Sequence, residues 1–196
     1  MSLSHALRRG AFHAVSGFSC VLALLLLPQF TMLAALGTVT VAFLSFELAR
    51  LRVSSLNRRF ATWCRFLLRE EEVNNITGSS YFLASCLLTV VAFPKNVAAL
   101  AILFLSLGDP VATIVGVWKG ENRLWGKTLE GDVACFVVCV LAGFSVSACL
   151  QEPPLIIAIV GAVFAAIIQA LPIKINDNLT IPIGSATAML VASIIA

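Results

Sequence analysis

Residues 96–117 read NVAALAILFLSLGDPVATIVGV, and Asp109 is the only ionisable side chain among them. A helix that crosses a bilayer needs about 20 predominantly apolar residues, so this stretch predicts a membrane span. The sequence Gly108-Asp109-Pro110 interrupts the span, because Pro110 has no backbone N–H to donate and suits the first turn of a new helix. Asp109 is a suitable N-cap for that helix. We therefore predict a transmembrane helix that is broken at Gly108-Asp109-Pro110.

The rest of the chain has the same apolar character. Of its 196 residues, 60% are hydrophobic and 12% are charged, and the mean hydropathy is +1.00. Soluble domains average roughly 25% charged residues. These values exclude a water-soluble fold and predict an all-α, polytopic membrane helical bundle of about seven transmembrane helices in one integral membrane domain, residues 1–196. Beside 96–117, the expected spans are 11–28, 30–50, 79–93, 131–150, 154–171 and 179–196.

The basic residues predict how the bundle is oriented. Seven spans place the N-terminus and the loops 51–78, 118–130 and 172–178 on one face, where every lysine and arginine except Lys95 falls. This asymmetry follows the positive-inside rule and predicts a cytoplasmic N-terminus. It also explains the net charge of +3 without a nucleic-acid partner. No small-residue cleavage site follows the first apolar segment, so we expect a retained helix rather than a secretory signal.

The segment between the second and third spans predicts an amphipathic helix. Apolar residues recur there at helical spacing, and arginines lie between them; they are Leu56, Phe60, Trp63 and Leu67, with Arg58, Arg59, Arg65 and Arg69. Such a pattern is typical of a helix that lies in the membrane interface. A cytoplasmic helix packed on the spans is the alternative.

Asp109 is a candidate functional carboxylate. It lies about nine residues, or about 14 Å, from the cytoplasmic end of its span at the rise of an α-helix. An aspartate at such depth costs roughly 2–3.5 kcal/mol, and serine or asparagine would cap a helix at lower cost. A transporter that uses Asp109 as an ion site is one alternative. The opposite face offers only short connections with few polar groups, which argues against a transport pathway.

Two further loops on the basic face supply polar groups. Gly126-Lys127-Thr128 resembles the end of a phosphate-binding loop, although Gly120 lies one residue too far upstream and no strand is predicted before it. Lys127 is nevertheless a candidate phosphate ligand. Asp177 lies at the mouth of the last span, where helix capping explains it equally well. Two carboxylates, a lysine and an arginine pair on one face form a minimal set for binding magnesium and a nucleoside triphosphate.

Other patterns have structural explanations. Ala112, Gly116 and Gly120 recur every four residues, which favours close helix packing inside the chain or in a homodimer. Glu47 is expected to form a structural pair with Arg50 or Arg9. Six cysteines without a Cys-x-x-Cys pair, and only two histidines, predict buried core thiols rather than a zinc site.

With these residues in view, the chain resembles the dolichol kinase, phytol kinase and CTP-dependent diacylglycerol kinase family, which is related to the phosphatidate cytidylyltransferases. The blocks that carry the resemblance are Arg8-Arg9 through His13, Phe46-Glu47-Leu48-Ala49-Arg50, Ile76-Thr77-Gly78, Gly108-Asp109-Pro110, Lys127-Thr128-Leu129-Glu130-Gly131-Asp132 and Asn176-Asp177-Asn178-Leu179-Thr180-Ile181-Pro182. The chain departs from the family pattern at Arg9, Thr128, Asp132 and Asn176. Only Asn176 removes a charge, and it leaves Asp177 as the metal candidate in its loop.

The resemblance implies a catalytic domain that transfers the terminal phosphoryl group of CTP to the hydroxyl of a membrane lipid alcohol of the polyprenol or dolichol, phytol or diacylglycerol class, with Mg²⁺. We expect a multi-pass protein of the cell membrane whose active site is cytoplasmic. The candidate catalytic residues are Asp109, Asp177, Lys127 and His13, and Asp109 and Asp177 are the candidate metal ligands. The candidate nucleotide-binding residues are Arg8, Arg9, Gly108, Gly126, Lys127, Thr128, Glu130, Gly131 and Asn178. A cytidylyltransferase that forms a CDP-lipid is the nearest alternative, although its usual Pro-Lys-Arg signature is not evident.

Overall fold

The computed structural model describes residues 2–195. Nine α-helices account for most of them: α1 Leu3–Leu26, α2 Gln29–Arg52, α3 Ser54–Trp63, α4 Gly78–Ala92, α5 Lys95–Leu103, α6 Asp109–Lys119, α7 Leu129–Leu150, α8 Leu155–Ala170 and α9 Asp177–Ile195. A 3₁₀ turn covers Glu70–Val73 and a π-helical turn covers Phe104–Gly108. The strands of the described chain are β1 Arg123–Leu124 and β2 Lys127–Thr128, which pair as an antiparallel hairpin.

The helices form a polytopic membrane bundle. Five are long and apolar enough to cross a bilayer, namely Leu3–Leu26, Gln29–Arg52, Lys95–Lys119, Leu129–Leu150 and Asp177–Ile195. Two shorter apolar helices, Gly78–Ala92 and Leu155–Ala170, occupy the remaining predicted segments. Each of the seven apolar runs is thus helical, and the all-α membrane bundle is confirmed.

The stretch 95–119 forms the centre of the bundle. Residues 97–105 are all buried, and α5, α6 and the π-turn between them pack against α1, α7 and α9. The α-helical hydrogen bonding is interrupted before Pro110 as predicted, but by a π-turn instead of a break. A wider turn gives room to the Ser106 carbonyl, which an α-helical turn would press against the proline ring.

This continuity changes the expected role of the Asp109 backbone. Asp109 has helical dihedral angles, φ −60° and ψ −46°, and its N–H donates to the Leu105 carbonyl. The prediction that Asp109 caps a new helix is therefore wrong, because an N-cap lies outside the helical region.

Small residues allow the central helix to be approached closely. A Cβ on Gly17 of α1 would lie 1.6 Å from Ser106 Oγ, and one on Gly108 would lie 2.9 Å from the Cys135 and Cys139 sulfurs. A Cβ on Gly116 would lie 2.6 Å from Thr128 Oγ1. The small-residue face at Gly116 is thus used for packing within the chain.

The connector after α2 combines a helix with an irregular segment. The predicted helix is confirmed for Ser54–Trp63, but the prediction is wrong for Leu67, which lies in a turn beyond the helix end. Phe60 packs edge-on against Phe46, with ring centroids 5.4 Å apart. Trp63 is 81% exposed. The helix therefore packs on α2 by one side and leaves an aromatic side chain on the other.

Candidate active site

A cavity of about 1070 Å³ lies among α1, α2, α4, α6, α9 and the connector 64–78. It brings together six of the predicted site residues: Arg9, His13, Asp109, Lys127, Asp177 and Asn178. These come from four separate regions of the sequence. The fold therefore places both candidate metal ligands and the candidate phosphate-binding lysine at one cavity.

Asp109 faces His13 inside this cavity. His13 Nδ1 lies 3.7 Å from Asp109 Oδ2, and the two side chains are only 15% and 14% exposed. The His13 ring packs edge-on against Phe82, with centroids 4.8 Å apart. Its Nε2 is buried and has no hydrogen-bond partner within the described chain. One nitrogen thus faces a carboxylate, and the other is a buried polar atom that no group of the described chain satisfies.

Lys127 forms an ion pair with Asp177 at the same cavity. Its Nζ lies 3.1 Å from both carboxylate oxygens of Asp177 and also donates to the Gln169 backbone carbonyl. The side chains of Lys127 and Asp177 are 26% and 28% exposed. A ligand from solvent can therefore reach this pair.

The β1–β2 hairpin positions Lys127. Leu124 pairs with Lys127, and the two residues between them, Trp125 and Gly126, have φ of 51° and 89°. Positive φ at both central positions is the signature of a type I′ turn, for which glycine is favoured. Gly126 is thus explained by the turn. Glu130 stabilises the same hairpin by accepting from the Asn122 N–H and side-chain amide.

Several predicted nucleotide-binding residues lie outside the cavity. Gly108 packs against Cys135 and Cys139, Thr128 against Gly116 and Gly120, and Gly131 against the Ala112 carbonyl. Gly126 and Glu130 belong to the hairpin. Arg8 is exposed and lines a separate small pocket with His5 and Arg65. None of these residues lines the cavity, and their role in nucleotide binding stays a prediction.

Two cations that the sequence did not mark line the cavity. Arg69 and Lys174 join Arg9 and Lys127 there. Arg69 was assigned only to the amphipathic pattern, and its position in the cavity depends on how the connector folds back over α1. Four lysine and arginine side chains therefore line the cavity, and one of them, Lys127, belongs to the pair with Asp177. This set is suited to a polyanionic ligand.

Glu72 holds the connector against the cavity. Its Oε2 accepts from Arg9 Nη1 at 2.8 Å and from the Arg69 N–H at 2.7 Å, while Oε1 accepts from the Gly78 N–H at 2.8 Å. Burial alone would raise the pKa of Glu72, but these hydrogen bonds and the Arg9 charge outweigh it and hold the pKa below its usual value. Asn178 extends the network, since its side-chain amide donates to the Gly78 carbonyl. In the sequence, the acidic run 70–72 lies beside an arginine-rich segment, and this pattern could have indicated that Glu72 pairs with an arginine.

A buried ion pair anchors the same connector to α2. Arg50 is fully buried and pairs with Glu47, which confirms the structural interpretation of Glu47 and selects Arg50 over Arg9 as its partner. Arg50 also donates to the side chain of Asn57 and to the carbonyls of Glu72, Val73 and Asn75. Glu47 Oε1 in turn accepts from the Thr77 N–H at 2.8 Å. The cavity wall formed by residues 72–77 is thus fixed by one arginine.

The carboxylates at the cavity bear on how Mg²⁺ could bind. No group of three or more His, Cys, Asp or Glu residues suited to a metal ion occurs among residues 2–195. Magnesium is usually held by one or two carboxylates together with substrate phosphates, so Asp109 and Asp177 fit that mode and not an all-protein cage. Asp132 is a third carboxylate nearby, and its buried Oδ2 has no partner in the described residues. In the sequence, Asp132 is marked only as a departure from the family pattern.

Two proteins are similar in sequence to this chain. It is 26% identical to an uncharacterised protein of Rickettsia prowazekii (strain Madrid E) over 184 residues, which cover 90% of this chain and 89% of that protein. It is also 26% identical over 141 residues to the CTP-dependent diacylglycerol kinase 1 of Schizosaccharomyces pombe. That match covers 61% of this chain and 62% of the kinase, less than two thirds of either. No family model and no solved structure matches the chain. The fold and these similarities define the chain as a polytopic membrane protein with a distant similarity to a CTP-dependent lipid kinase.

Proposed function

We propose that this protein transfers the γ-phosphoryl group of CTP to the hydroxyl of a membrane lipid alcohol. The observation that carries the proposal is the convergence of the Asp109–His13 and Lys127–Asp177 pairs on one cavity within an apolar bundle. A lipid alcohol keeps its tail in the hydrocarbon while its hydroxyl reaches the polar end of such a cavity. The choice of CTP rests on the motif resemblance and on the similarity to the Schizosaccharomyces pombe kinase.

The basic residues of the cavity bind the triphosphate in this proposal. Lys127, Arg9, Arg69 and Lys174 line the cavity and neutralise phosphate charge. Asp109 and Asp177 would supply oxygen ligands for Mg²⁺, which when bound would offset the charge of the triphosphate. Binding of the nucleotide would draw Lys127 from Asp177 toward a phosphate and expose the Asp177 carboxylate.

His13 accepts the proton in the proposed reaction. The hydroxyl oxygen of the alcohol attacks the γ-phosphorus, and the bond from this phosphorus to the β–γ bridging oxygen breaks. CDP leaves, and the hydroxyl proton passes to His13 Nε2, which is unpartnered in the described chain. Asp109 orients the ring through Nδ1; the 3.7 Å separation is loose, as catalytic contacts often are without substrate. The products are a lipid monophosphate and CDP.

Product analysis tests the proposal. The purified protein is incubated with Mg²⁺, CTP labelled at the γ-phosphorus and a panel of lipid alcohols. We expect the label in the lipid and one CDP released per lipid monophosphate. Release of pyrophosphate with formation of a CDP-lipid would instead identify a cytidylyltransferase. Solute or ion flux in liposomes without nucleotide turnover would support the transporter alternative.

A matched pair of lysine variants tests the site. Lys127→Ala removes a cation that lines the cavity, whereas Lys119→Ala removes an exposed one that lies over Trp118. We expect Lys127→Ala to lower turnover at least about a hundredfold, the scale of losing one preorganised electrostatic contact, and Lys119→Ala to leave it unchanged. Equal turnover of the two variants would contradict the assignment.

A further inference from the structure

One face of α1 changes from polar to apolar along its length. The residues of this face that line the cavity follow each other at helical spacing: Arg9, His13, Ser16, Cys20, Ala23 and Leu27. Arg9, His13 and Ser16 carry strongly polar side chains. Beyond them, Cys20, Ala23 and Leu27 have side chains that are uncharged and at most weakly polar. From His13 to Leu27 the helix rises about 21 Å. The cavity therefore extends from the Asp109–His13 and Lys127–Asp177 pairs along most of α1.

Helix α2 supplies the opposite wall of this extension. Met32, Leu36, Val39 and Phe43 recur at helical spacing and line the same cavity. A short turn at Leu27–Pro28 joins α1 and α2, and the two helices otherwise contact each other little. Val39 lines the cavity and is also 53% exposed. The space between the helices, here called the α1–α2 groove, is thus apolar and opens sideways from the bundle.

We propose that the α1–α2 groove holds the hydrocarbon chain of a long-chain alcohol acceptor, which enters sideways from the bilayer and places its hydroxyl beside His13. This inference rests on the proposed function for the identity of the polar end. The occupant is indicated by continuity, because the groove begins at the Asp109–His13 and Lys127–Asp177 pairs and is apolar beyond Cys20. A groove of about 21 Å passes the bilayer mid-plane, since the hydrocarbon core is about 30 Å thick. It accommodates a chain longer than one leaflet.

Small side chains keep the groove open. Ala35 of α2 lines the cavity and is exposed, so a larger side chain there projects into the groove without displacing buried neighbours. Because α2 runs back along α1 from Pro28, Ala35 stands near the level of Cys20, about 10 Å beyond His13 at the helical rise. A bulky side chain at Ala35 should therefore exclude long chains and leave room for short ones.

The chain-length profile tests the groove. Ala35→Trp is compared with Ala34→Trp, whose position is also exposed but does not line the cavity. With a homologous series of single-chain alcohols, we expect Ala35→Trp to lower kcat/KM at least about tenfold for chains that extend more than about 10 Å. Shorter chains should be turned over within about twofold of the parent, and Ala34→Trp should match the parent throughout. An unchanged profile in Ala35→Trp would overturn the proposal.

Photo-labelling separates this inference from the proposed function, because it needs neither CTP nor turnover. The probe is a single-chain alcohol with a diazirine at the chain end, bound to the protein in detergent micelles. We expect labelling at the far end of the groove, near Leu27 and Met32, and at least about tenfold less of it in Ala35→Trp than in Ala34→Trp. The labelling could instead spread over the exposed apolar side chains of α7, such as Phe136 and Phe144, and be equal in both variants. This result would overturn the proposal that the groove binds the chain, even if the kinase activity is found. Labelling in the groove without phosphoryl transfer would support the groove and contradict the kinase.

Discussion

Removal of the buried guanidinium at position 50 should destabilise the protein strongly. Arg50→Met keeps a long apolar side chain but deletes the partner of Glu47, whose carboxylate remains 2% exposed. It also leaves the carbonyls of Glu72, Val73 and Asn75 without this donor. Breaking a buried pair from one side typically costs about 3–5 kcal/mol, because the remaining charge is uncompensated. On the scale of a domain of this size, that corresponds to a fall in Tm of about 6–20 °C.

The assay measures the thermal unfolding of detergent-solubilised protein, with the folded fraction at each temperature read by size-exclusion chromatography. Arg52→Met is the matched control, because Arg52 ends the same helix and is exposed. The double variant Glu47→Leu/Arg50→Met should recover part of the lost stability, since it leaves no orphan charge. If Arg50→Met unfolds at the same temperature as Arg52→Met, the inference that this pair fixes the connector is refuted.

Two further perturbations follow from the contacts of α1. Arg9 and two backbone N–H groups hold the pKa of Glu72 below its usual value. The Glu72 carboxylate therefore stabilises the fold at pH values above its ordinary pKa of about 4.3. This contribution is lost as the pH falls through the lower pKa of the folded state. The difference in Tm between the parent and Glu72→Gln, measured from pH 7 downward, should therefore shrink as Glu72 is protonated; a constant difference would contradict the charge-based explanation. Gly17→Ala places a methyl group against Ser106 Oγ and should cost about 1–3 kcal/mol of stability, while Gly37→Ala, where nothing lies within 4 Å, should be neutral or slightly stabilising. Equal Tm values for the two glycine variants would show that α1 does not approach the π-turn as closely as described.

The sequence predicts the helices well because their signal is local. Each apolar run is long enough to require a helix in the bilayer, and no distant contact is needed to recognise it. The interruption at Pro110 was predicted for a sound reason, the missing N–H of proline. The form of the interruption does not follow from that rule, because the rule permits either a break or a widened turn.

The candidate site is less readable because its contacts join distant parts of the chain. Arg9 and Glu72 lie 63 positions apart, and Lys127 and Asp177 lie 50 apart. Residue type identified Asp109, Lys127 and Asp177, since charged groups near apolar spans are few. Residue type alone did not identify Glu72. It also assigned Gly126 to phosphate binding, whereas the turn of the β1–β2 hairpin accounts for this glycine.

The central claim is that Asp109 serves phosphoryl transfer from a buried position. The most direct measurement is the rate of label transfer from γ-labelled CTP to a lipid alcohol by Asp109→Asn, which preserves shape and removes the charge. Glu121→Gln, an exposed loop substitution, is the control. We expect Asp109→Asn to fold with a Tm near that of the parent and to transfer label at least about a hundredfold more slowly, while the control is unaffected. Transfer by Asp109→Asn at the rate of the parent would contradict it.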